Sequence, residues 1–144
     1  MNVDAILKAK GERVVTVPPN APVSTVVKRL KLERIGAVVV SDDGEPALGL
    51  LTDRDIALGL ADHGAELLRK QAAEIMLRAV RTCTPSDRLV DLMAAMTRHR
   101  VRHLPVLRQG KLCGIVSIGD IVKYRLEELE LEAGVLRDIY TASH

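Results

Sequence analysis

The 144-residue chain is 47% hydrophobic and 28% charged, with ten Gly and six Pro, which excludes a disordered, collagen-like or fibrous protein. Its 21 Lys and Arg against 19 Asp and Glu give a net charge of +2, too small and too evenly mixed to indicate a nucleic-acid surface. It lacks both the roughly 18 consecutive apolar residues of a membrane span and the apolar run of a secretion signal. We therefore expect one compact cytoplasmic unit without membrane or nucleic-acid partners.

A tandem repeat organises the chain, because its two halves match each other almost without gaps. A shift of 66 positions aligns Arg34 with Arg100, and after a one-residue deletion a shift of 65 aligns Asp55 with Asp120. Halves of about sixty residues bury little surface alone, so the two are expected to share one interface.

Periodicity predicts that each repeat runs strand, helix, strand, strand, helix. Apolar residues at i, i+3, i+4 and i+7 give each first helix a hydrophobic stripe, beginning at Val23 and at Leu89. Asn20 and Ser86 are the predicted amino-terminal caps of these helices. Residues 63–75, rich in Ala, Leu and Glu without Pro, are expected to form a packed helical connector.

A hairpin is predicted to follow the first helix of each repeat. The unbroken apolar runs at 36–40 and 103–107 lack the alternation of a half-exposed strand, so both should be central strands covered on both faces. Polar turns at Gly44 and Gly110 then lead into a second strand. The predicted fold class is therefore α/β, in the α+β sense, with two β-α-β-β-α repeats.

Both repeats place the same polar motif where the last strand meets the last helix. Residues 49–55 and 114–120 share the form G-x-x-[T/S]-x-x-D. A hydroxyl followed three residues later by a carboxylate is the spacing of a capping box, in which both side chains bind backbone N–H groups at the helix start. Taken alone, the spacing favours this structural role.

Three features favour a ligand at the same place. Gly49 and Gly114 lie inside predicted strands, where glycine weakens packing unless another backbone or a ligand approaches closely. Gly119 lies in the first turn of a helix, which it destabilises by roughly 0.5–1 kcal/mol relative to alanine. The whole arrangement also recurs in both repeats. Since a helix amino terminus attracts phosphate and a nearby carboxylate can accept hydrogen bonds from a ribose diol, the pattern favours a nucleotide.

These motifs, together with R-I-G-A-V-V-V at 34–40 and R-V-R-H-L-P-V at 100–106, carry a family resemblance. From residue 11 to residue 126 the chain resembles a tandem pair of cystathionine-beta-synthase (CBS) domains, a Bateman module, in its free-standing bacterial form. The resemblance implies a pseudo-twofold pair of small sheets with clefts that bind AMP, ADP or ATP, or in some members NAD(H) or S-adenosylmethionine.

The resemblance also implies a role for individual residues. It assigns the ribose hydroxyls to Asp55 and Asp120 and the phosphate to Thr52 and Ser117. Base recognition would use mostly main-chain groups at the strand starts, namely Thr16, Val17, Gly36, Ala37 and Val38 in one repeat and Thr82, Cys83, His103, Leu104 and Pro105 in the other. Such recognition suits a chain that has no Phe or Trp to stack on a base.

The two predicted nucleotide sites differ in charge. Arg54 lies inside the first motif, where its guanidinium could bind a second phosphate oxygen, whereas the matching residue of the second motif is Gly119. Arg102 and His103 stand where the first repeat has small residues, and we expect them to return positive charge to the second site. The two sites are therefore predicted to bind ligand with different affinities.

No catalytic or metal-binding constellation is expected. His99 and His103 have i, i+4 spacing but fall on different predicted elements, and Cys83, His103 and Cys113 lie on separate strands without a close pair. G-I-V-S-I-G is not a nucleophile elbow, because its Gly stands three residues before Ser117 instead of two. We expect a non-enzymatic protein that requires no cofactor.

The carboxyl-terminal stretch predicts a long helix and a homodimer. Apolar residues recur from 122 to 140 at alternating spacings of four and three, which is the seam of a coiled-coil-like helix. We assign residues 1–70 to the first repeat with an amino-terminal helix and connector, and residues 71–144 to the second with this extended helix. A regulated protein would act in trans, because no sequence remains for an output domain. A ligand-free structural dimerisation module is the alternative.

Overall fold

The computed structural model describes residues 1–43 and 47–143, in which helices flank two small sheets. In chain order the elements are α1 (Val3–Lys10), β1 (Thr16–Val17), α2 (Val23–Glu33), β2 (Ala37–Ser41), β3 (Ala47–Thr52), α3 (Asp53–His63), a 3-10 helix (Gly64–Arg69), α4 (Ala72–Ile75), α5 (Leu89–His99), β4 (His103–Arg108), β5 (Lys111–Ser117) and α6 (Ile118–Ser143). The predicted mixture of helix and sheet and the long last helix are confirmed.

The first repeat forms a three-stranded sheet with β2 at its centre. β1 pairs with β2 in parallel, with Val17 opposite Val40, and β2 pairs with β3 antiparallel, with Val40 opposite Gly49. All five residues of β2 are buried, as predicted for a strand covered on both faces. The bend predicted at Gly44 lies outside the described residues.

The second repeat copies this register, but its first strand is reduced to a single bridge. β4 pairs antiparallel with β5, with Val106 opposite Gly114, and Cys83 bridges Val106 in parallel. The predicted bend between β4 and β5 is confirmed. Gln109 and Gly110 both have positive φ there, 53° and 79°, which is the handedness of a tight hairpin turn.

The predicted helix caps at Asn20 and Ser86 are wrong. α2 and α5 begin three residues later, and the residues that directly precede them make no side-chain cap. Instead, the first N–H of each helix donates to a distant backbone carbonyl: Val23 N to Lys70 O at 2.8 Å, and the equivalent N–H of α5 to Met1 O at 3.3 Å. A carbonyl from another segment therefore satisfies the donor that a local hydroxyl was expected to satisfy.

Each repeat is completed by the segment that precedes the other one. α1 precedes the first repeat, yet it buries Val3, Ile6 and Leu7 in the hydrophobic core of the second. α4 precedes the second repeat, yet it packs on β3 and α3 of the first, where Ala72 is fully buried. This exchange joins the two halves, which supports the expectation of a shared interface.

A further apolar cluster contains residues of both sheets. Its buried members are Ala37, Val39 and Leu50 of the first repeat, and partly buried residues that pack against them include Leu112 and Ile115 of the second. The sheets therefore share a core in addition to the exchanged helices.

The predicted connector is helical but broken into shorter pieces. Gly64 ends α3 with a φ of 60°, a conformation that glycine adopts without the steric penalty of a side chain. The 3-10 helix then leads to the single turn of α4. Leu67 is fully buried, so the connector is packed, as predicted.

α6 is the longest element of the described chain. Its 26 residues extend about 39 Å at 1.5 Å per residue. Ile121 anchors its first turns in the core, whereas Leu126, Leu131 and Leu136 are more than half exposed. None of the helices in residues 1–43 and 47–143 combines the length and the apolar content needed to cross a bilayer.

Candidate functional site

The two G-x-x-[T/S]-x-x-D segments form the β3–α3 and β5–α6 junctions, and both fold as capping boxes. Asp55 N donates to Thr52 Oγ1 at 3.2 Å, and Thr52 N donates to Asp55 Oδ2 at 2.9 Å. Asp120 N donates to Ser117 Oγ at 3.1 Å, and Ser117 N donates to Asp120 Oδ2 at 2.9 Å. The structural role that the spacing favours is confirmed.

Capping leaves each carboxylate with an unused oxygen. The hydrogen bonds that the described residues make to Asp55 and Asp120 all involve Oδ2. Oδ1 of both carboxylates can therefore still accept a hydrogen bond, because an ionised carboxylate offers acceptor sites on both oxygens. Capping and ligand binding are compatible at these positions.

The hydroxyl groups of the two motifs also contact the capping carboxylates. Thr52 Oγ1 donates to Asp55 Oδ2 at 2.9 Å, so its hydrogen is already engaged. Ser117 Oγ accepts from Asp120 N at 3.1 Å, and a hydrogen bond from the Ser117 side chain also helps to lower the pKa of Asp120. Both hydroxyls therefore interact with the carboxylate of their own capping box.

Packing inside the chain explains the two strand glycines. A Cβ on Gly49 would lie 2.5 Å from Met76 Sδ and 2.8 Å from Leu77 O, and a Cβ on Gly114 would lie 2.5 Å from Leu7 Cδ2. The close approach predicted from these glycines is therefore made by the exchanged segments, and the alternative of a ligand beside them is not needed.

Cleft A, about 520 Å³ in volume, lies beside Ser117 and Asp120. Its opposite wall comes from residues 34–37 of the first repeat, and the end of α1 and the start of α6 complete it. The lining is rich in cations and carries aliphatic surface: Lys10, Arg13, Arg34, Lys123, Val15, Ile35 and Ile115. Cleft A can therefore hold a ligand that is part apolar and part anionic.

Cleft B, about 160 Å³ in volume, lies beside Thr52 and Asp55. Residues 100–103 of the second repeat form part of its lining, together with Arg54. Each cleft thus combines the hydroxyl and carboxylate of one repeat with the strand start of the other. His103 lines both clefts.

This exchange corrects the predicted distribution of charge. Arg102 was expected to return positive charge to the site of Ser117, but it lines cleft B with Arg54. The two strand starts lie against each other, since a Cβ on Gly36 would lie 3.0 Å from His103 Nε2. Each strand start therefore also borders the polar motif of the opposite repeat. The cations of cleft A come instead from α1, α6 and the end of α2, with one more just after α1. Gly119 is not part of the lining of cleft A, and a Cβ on it would meet Ser117 Oγ at 3.6 Å, an ordinary contact distance. That Gly119 gives room to the second site stays a prediction.

The residues predicted for base recognition are only partly brought together. Gly36, Ala37 and His103 line cleft A. The others have different surroundings: Val17 and Val38 lie in the core, Thr16 lies on β1 beside Val15, Thr82, Cys83 and Leu104 line a depression with His99, and Pro105 lines a groove with Thr82. Base recognition by main-chain groups of these residues stays a prediction.

Lys10 controls the ionisation of Asp120. Its Nζ donates to Asp120 Oδ2 at 2.6 Å. Burial opposes the charged form of Asp120, but the hydrogen bonds from Lys10 and from Ser117 N outweigh burial and hold the pKa of Asp120 below its ordinary value. The ionised carboxylate therefore stabilises the fold at neutral pH, and this contribution is lost as pH falls through the lowered pKa.

Burial keeps His103 in its neutral form. It lowers the pKa of His103, and the nearby charges of Arg102 and Lys10 act in the same direction against those of Asp53 and Asp120. At neutral pH the imidazole is neutral, with one donor and one acceptor nitrogen. The neutral ring stabilises the fold above the ordinary pKa of histidine, and that contribution is lost as pH falls through the lowered pKa.

Several cleft residues were missed in the sequence. Nothing in the pattern could place Lys10 or Lys123, because they reach cleft A through the exchange of α1 and the packing of α6. Arg34 and Arg100 gave a signal that was not used, since the repeat aligns them with each other and the structure places one in each cleft.

The described residues contain no group of three His, Cys, Asp or Glu side chains that could hold a metal ion. Among the candidates, Cys83 is buried, and burial raises the pKa of its thiol to about 12. The thiolate that a metal would need is therefore strongly disfavoured.

Comparison with known proteins gives consistent matches. The family model described as "CBS domain" matches residues 10–62 and 72–127. The CBS domain-containing protein YhcV of Bacillus subtilis is 34% identical over 109 residues, which are 76% of this chain and 76% of that protein. The crystal structure of the CBS-domain containing protein ATU1752 from Agrobacterium tumefaciens has a TM-score of 0.84 at 39% identity, covering 87% of this chain and 99% of that one.

Ligands are present in crystal structures of a similar domain pair. The CBS domain pair of protein MJ0100, in complex with 5′-methylthioadenosine and S-adenosyl-L-methionine, has a TM-score of 0.76 at 25% identity and covers 86% of this chain and 98% of that one. Both bound compounds contain an adenosine group.

Proposed function

Because this chain belongs to the CBS domain family and contains two CBS domains in tandem, we propose that it is a non-enzymatic regulatory module that senses the energy state by binding AMP, ADP or ATP. The ligand would occupy the clefts between the two repeats and bias their relative placement. The observation that carries the proposal is the duplicated junction, where a helix start, a hydroxyl and a carboxylate with an available Oδ1 meet cations of the opposite repeat.

Cleft A is proposed as the principal nucleotide site. Its volume of about 520 Å³ lies within the roughly 300–1,000 Å³ that small-molecule sites occupy, whereas cleft B has about 160 Å³. Val15, Ile35 and Ile115 offer aliphatic surface to a base, and Asp120 offers Oδ1 to the ribose. Ser117 is proposed to bind a phosphate at the start of α6. Cleft B would be the weaker site.

Nucleotide binding is expected to stabilise the protein against heat. A ligand at 100 times its dissociation constant adds about 2.7 kcal/mol to the free energy of unfolding. We expect AMP, ADP or ATP to raise the melting temperature in a thermal-shift panel that also contains NADH, S-adenosylmethionine and magnesium, and chromatography to show no product after incubation.

The same panel separates the alternatives. No shift with any adenine compound would contradict the sensor and favour a purely structural dimerisation module. A shift with S-adenosylmethionine alone would favour the second candidate function, a sensor of that compound, which the ligands of the MJ0100 domain pair support. A product whose formation stops in the Asp55→Ala variant would contradict the non-enzymatic proposal.

The exposed seam of α6 is proposed to form a homodimer contact. Leu126, Leu129 and Leu136 lie on this seam and are 54%, 42% and 67% exposed. A second copy of the same helix would cover such a row of apolar side chains, since the spacing of four and three suits helix pairing.

Introducing a charge into this seam is expected to separate the subunits. Leu136→Glu would place a carboxylate in the contact, so sedimentation equilibrium at micromolar concentration should change from dimer to monomer. Leu32→Glu is the matched control, because Leu32 is 78% exposed on α2 and outside the seam. A wild-type monomer, or a Leu136→Glu variant that stays dimeric, would contradict the proposed contact.

A further inference from the structure

α2 and α5 end in the same unusual way. The first residues beyond them, Arg34 and Arg100, have left-handed backbone conformations with φ of 55° and 54°. Their N–H groups donate to Leu30 O and Met96 O, which closes each helix. Glycine is the residue that favours this position, because a side chain there is sterically penalised. The chain nevertheless has arginine at both equivalent positions.

Each of these arginines borders one cleft of the opposite repeat. Arg34 lines cleft A with Ser117 and Asp120, and Arg100 lines cleft B with Thr52 and Asp55. Arg34 and Arg100 are both exposed residues. In each repeat, the arginine with the left-handed backbone therefore also places its guanidinium at the edge of a cleft.

Neither guanidinium is paired within the part of the chain that the structure describes. Two other arginines of the clefts are ion-paired: Arg13 binds Glu33 at 2.9 Å and Arg102 binds Asp53 at 3.0 Å. Arg54 of cleft B resembles Arg34 and Arg100 in having no ion pair among the described residues, but it has no counterpart in cleft A. No carboxylate of the described residues lies within ion-pair distance of Arg34 or Arg100. Two unpaired cations at the edges of clefts are available to an anionic ligand.

We propose that Arg34 and Arg100 are a matched pair of specificity residues, one in each cleft, that bind the phosphate groups of the ligand. This inference rests on the proposed nucleotide function and narrows its ligand class. A planar guanidinium binds two phosphate oxygens at once, and it repels a sulfonium group. The pair therefore selects phosphorylated adenosine compounds over adenosine itself and over S-adenosylmethionine.

Glycine substitution tests the pair without straining the fold. Arg34→Gly and Arg100→Gly keep a residue that adopts the left-handed conformation, so both variants should fold. By titration calorimetry we expect Arg34→Gly to bind ADP roughly tenfold more weakly at the stronger site and to bind adenosine as the wild type does. Arg100→Gly should weaken the second site, and Arg34→Lys should retain part of the affinity because it keeps the charge.

Gln109→Gly is the matched control. Gln109 also has a positive φ, 53°, but it lies in the β4–β5 turn and outside the lining of both clefts. Its replacement should leave ADP affinity unchanged. Wild-type affinity for ADP in Arg34→Gly, or an equal loss of ADP and adenosine, would overturn the inference while leaving the nucleotide function intact. A wild-type protein that binds no adenine compound would overturn the proposed function itself.

Discussion

Replacement of Gly49 by alanine is expected to destabilise the protein by about 2–3 kcal/mol, at the upper end of the range for overpacked cores. The new methyl group would lie 2.8 Å from the carbonyl oxygen of Leu77. That carbonyl cannot move freely, because it accepts from Leu50 N at 2.9 Å while Leu77 N donates to Leu50 O at 2.8 Å. Relief of the clash would break this two-bond bridge between β3 and the segment that follows α4.

Gly114→Ala is the informative comparison, because Gly114 occupies the equivalent position in the second repeat. Its Cβ would meet Leu7 Cδ2 at 2.5 Å, which is the end of a flexible side chain and not a backbone atom. A change of rotamer can relieve part of this contact, so we expect a smaller loss of about 1 kcal/mol. The order of the two effects distinguishes a backbone clash from a side-chain clash.

Urea unfolding at constant m-value measures both losses. Gly134→Ala is the control, because Gly134 lies within α6 with no atom inside 4 Å of a new Cβ, and alanine should stabilise a helix there by about 0.5–1 kcal/mol. A neutral Gly49→Ala variant would contradict the explanation of this glycine by packing. It would return attention to a ligand as the reason for glycine in the strand.

The order of elements could be predicted from sequence because it depends on local patterns. The stripe that begins at Val23 and the unbroken apolar run of β2 both arise within a few residues of chain. The two capping boxes are equally local, since Thr52 and Asp55 are three residues apart. Repetition strengthened every one of these predictions, because each pattern occurred twice.

Contacts between distant segments could not be predicted in this way. Asn20 has the side chain of a helix cap, but the carbonyl of Lys70 satisfies the first N–H of α2 instead. Lys10 reaches Asp120 only because α1 packs on the second repeat, although the first repeat directly follows α1 in the sequence. No periodicity within α1 specifies which half of the protein its apolar face will cover.

In the candidate site, too, the local features could be predicted from sequence and the contacts between distant segments could not. The hydroxyl and carboxylate of each junction were identified from their spacing, and the structure confirms the junctions that they cap. The opposite wall of each cleft was not identified, because it belongs to the other repeat. Arg102 was therefore predicted for the wrong cleft, although it lies directly before β4, as the predicted strand at 103–107 implied.

Asp120→Ala is expected to weaken nucleotide binding by at least roughly hundredfold, which corresponds to about 2.7 kcal/mol. If Asp120 Oδ1 accepts hydrogen bonds from both ribose hydroxyls, the variant loses two charge-assisted hydrogen bonds. Asp55→Ala should have a smaller effect, because it removes the carboxylate of the smaller cleft B. Titration calorimetry of the two variants compares the clefts directly, and equal residual binding would contradict the predicted difference in affinity.

Asp120→Ala also breaks a helix cap and the ion pair with Lys10, so its effect on binding must be separated from its effect on folding. Lys10→Met is a matched control, since it breaks the same ion pair while the carboxylate and the cap remain. Unfolding of both variants without ligand measures the structural loss. A Lys10→Met variant that lost as much nucleotide affinity as Asp120→Ala would show that the loss does not require removal of the carboxylate, since Lys10 is itself a cation of cleft A.

Comparing AMP with 2′-deoxy-AMP, in the wild type and in Asp120→Ala, tests the proposed contact between Asp120 and the ribose. The wild type should bind 2′-deoxy-AMP more weakly than AMP by roughly tenfold, because one charge-assisted hydrogen bond is missing. Asp120→Ala should bind the two compounds nearly equally, since the acceptor of that hydrogen bond has been removed. The double-mutant logic isolates one interaction and is insensitive to a general loss of stability. If Asp120→Ala keeps the full preference for AMP, the carboxylate does not bind the 2′-hydroxyl, and its observed roles are to cap α6 and to pair with Lys10.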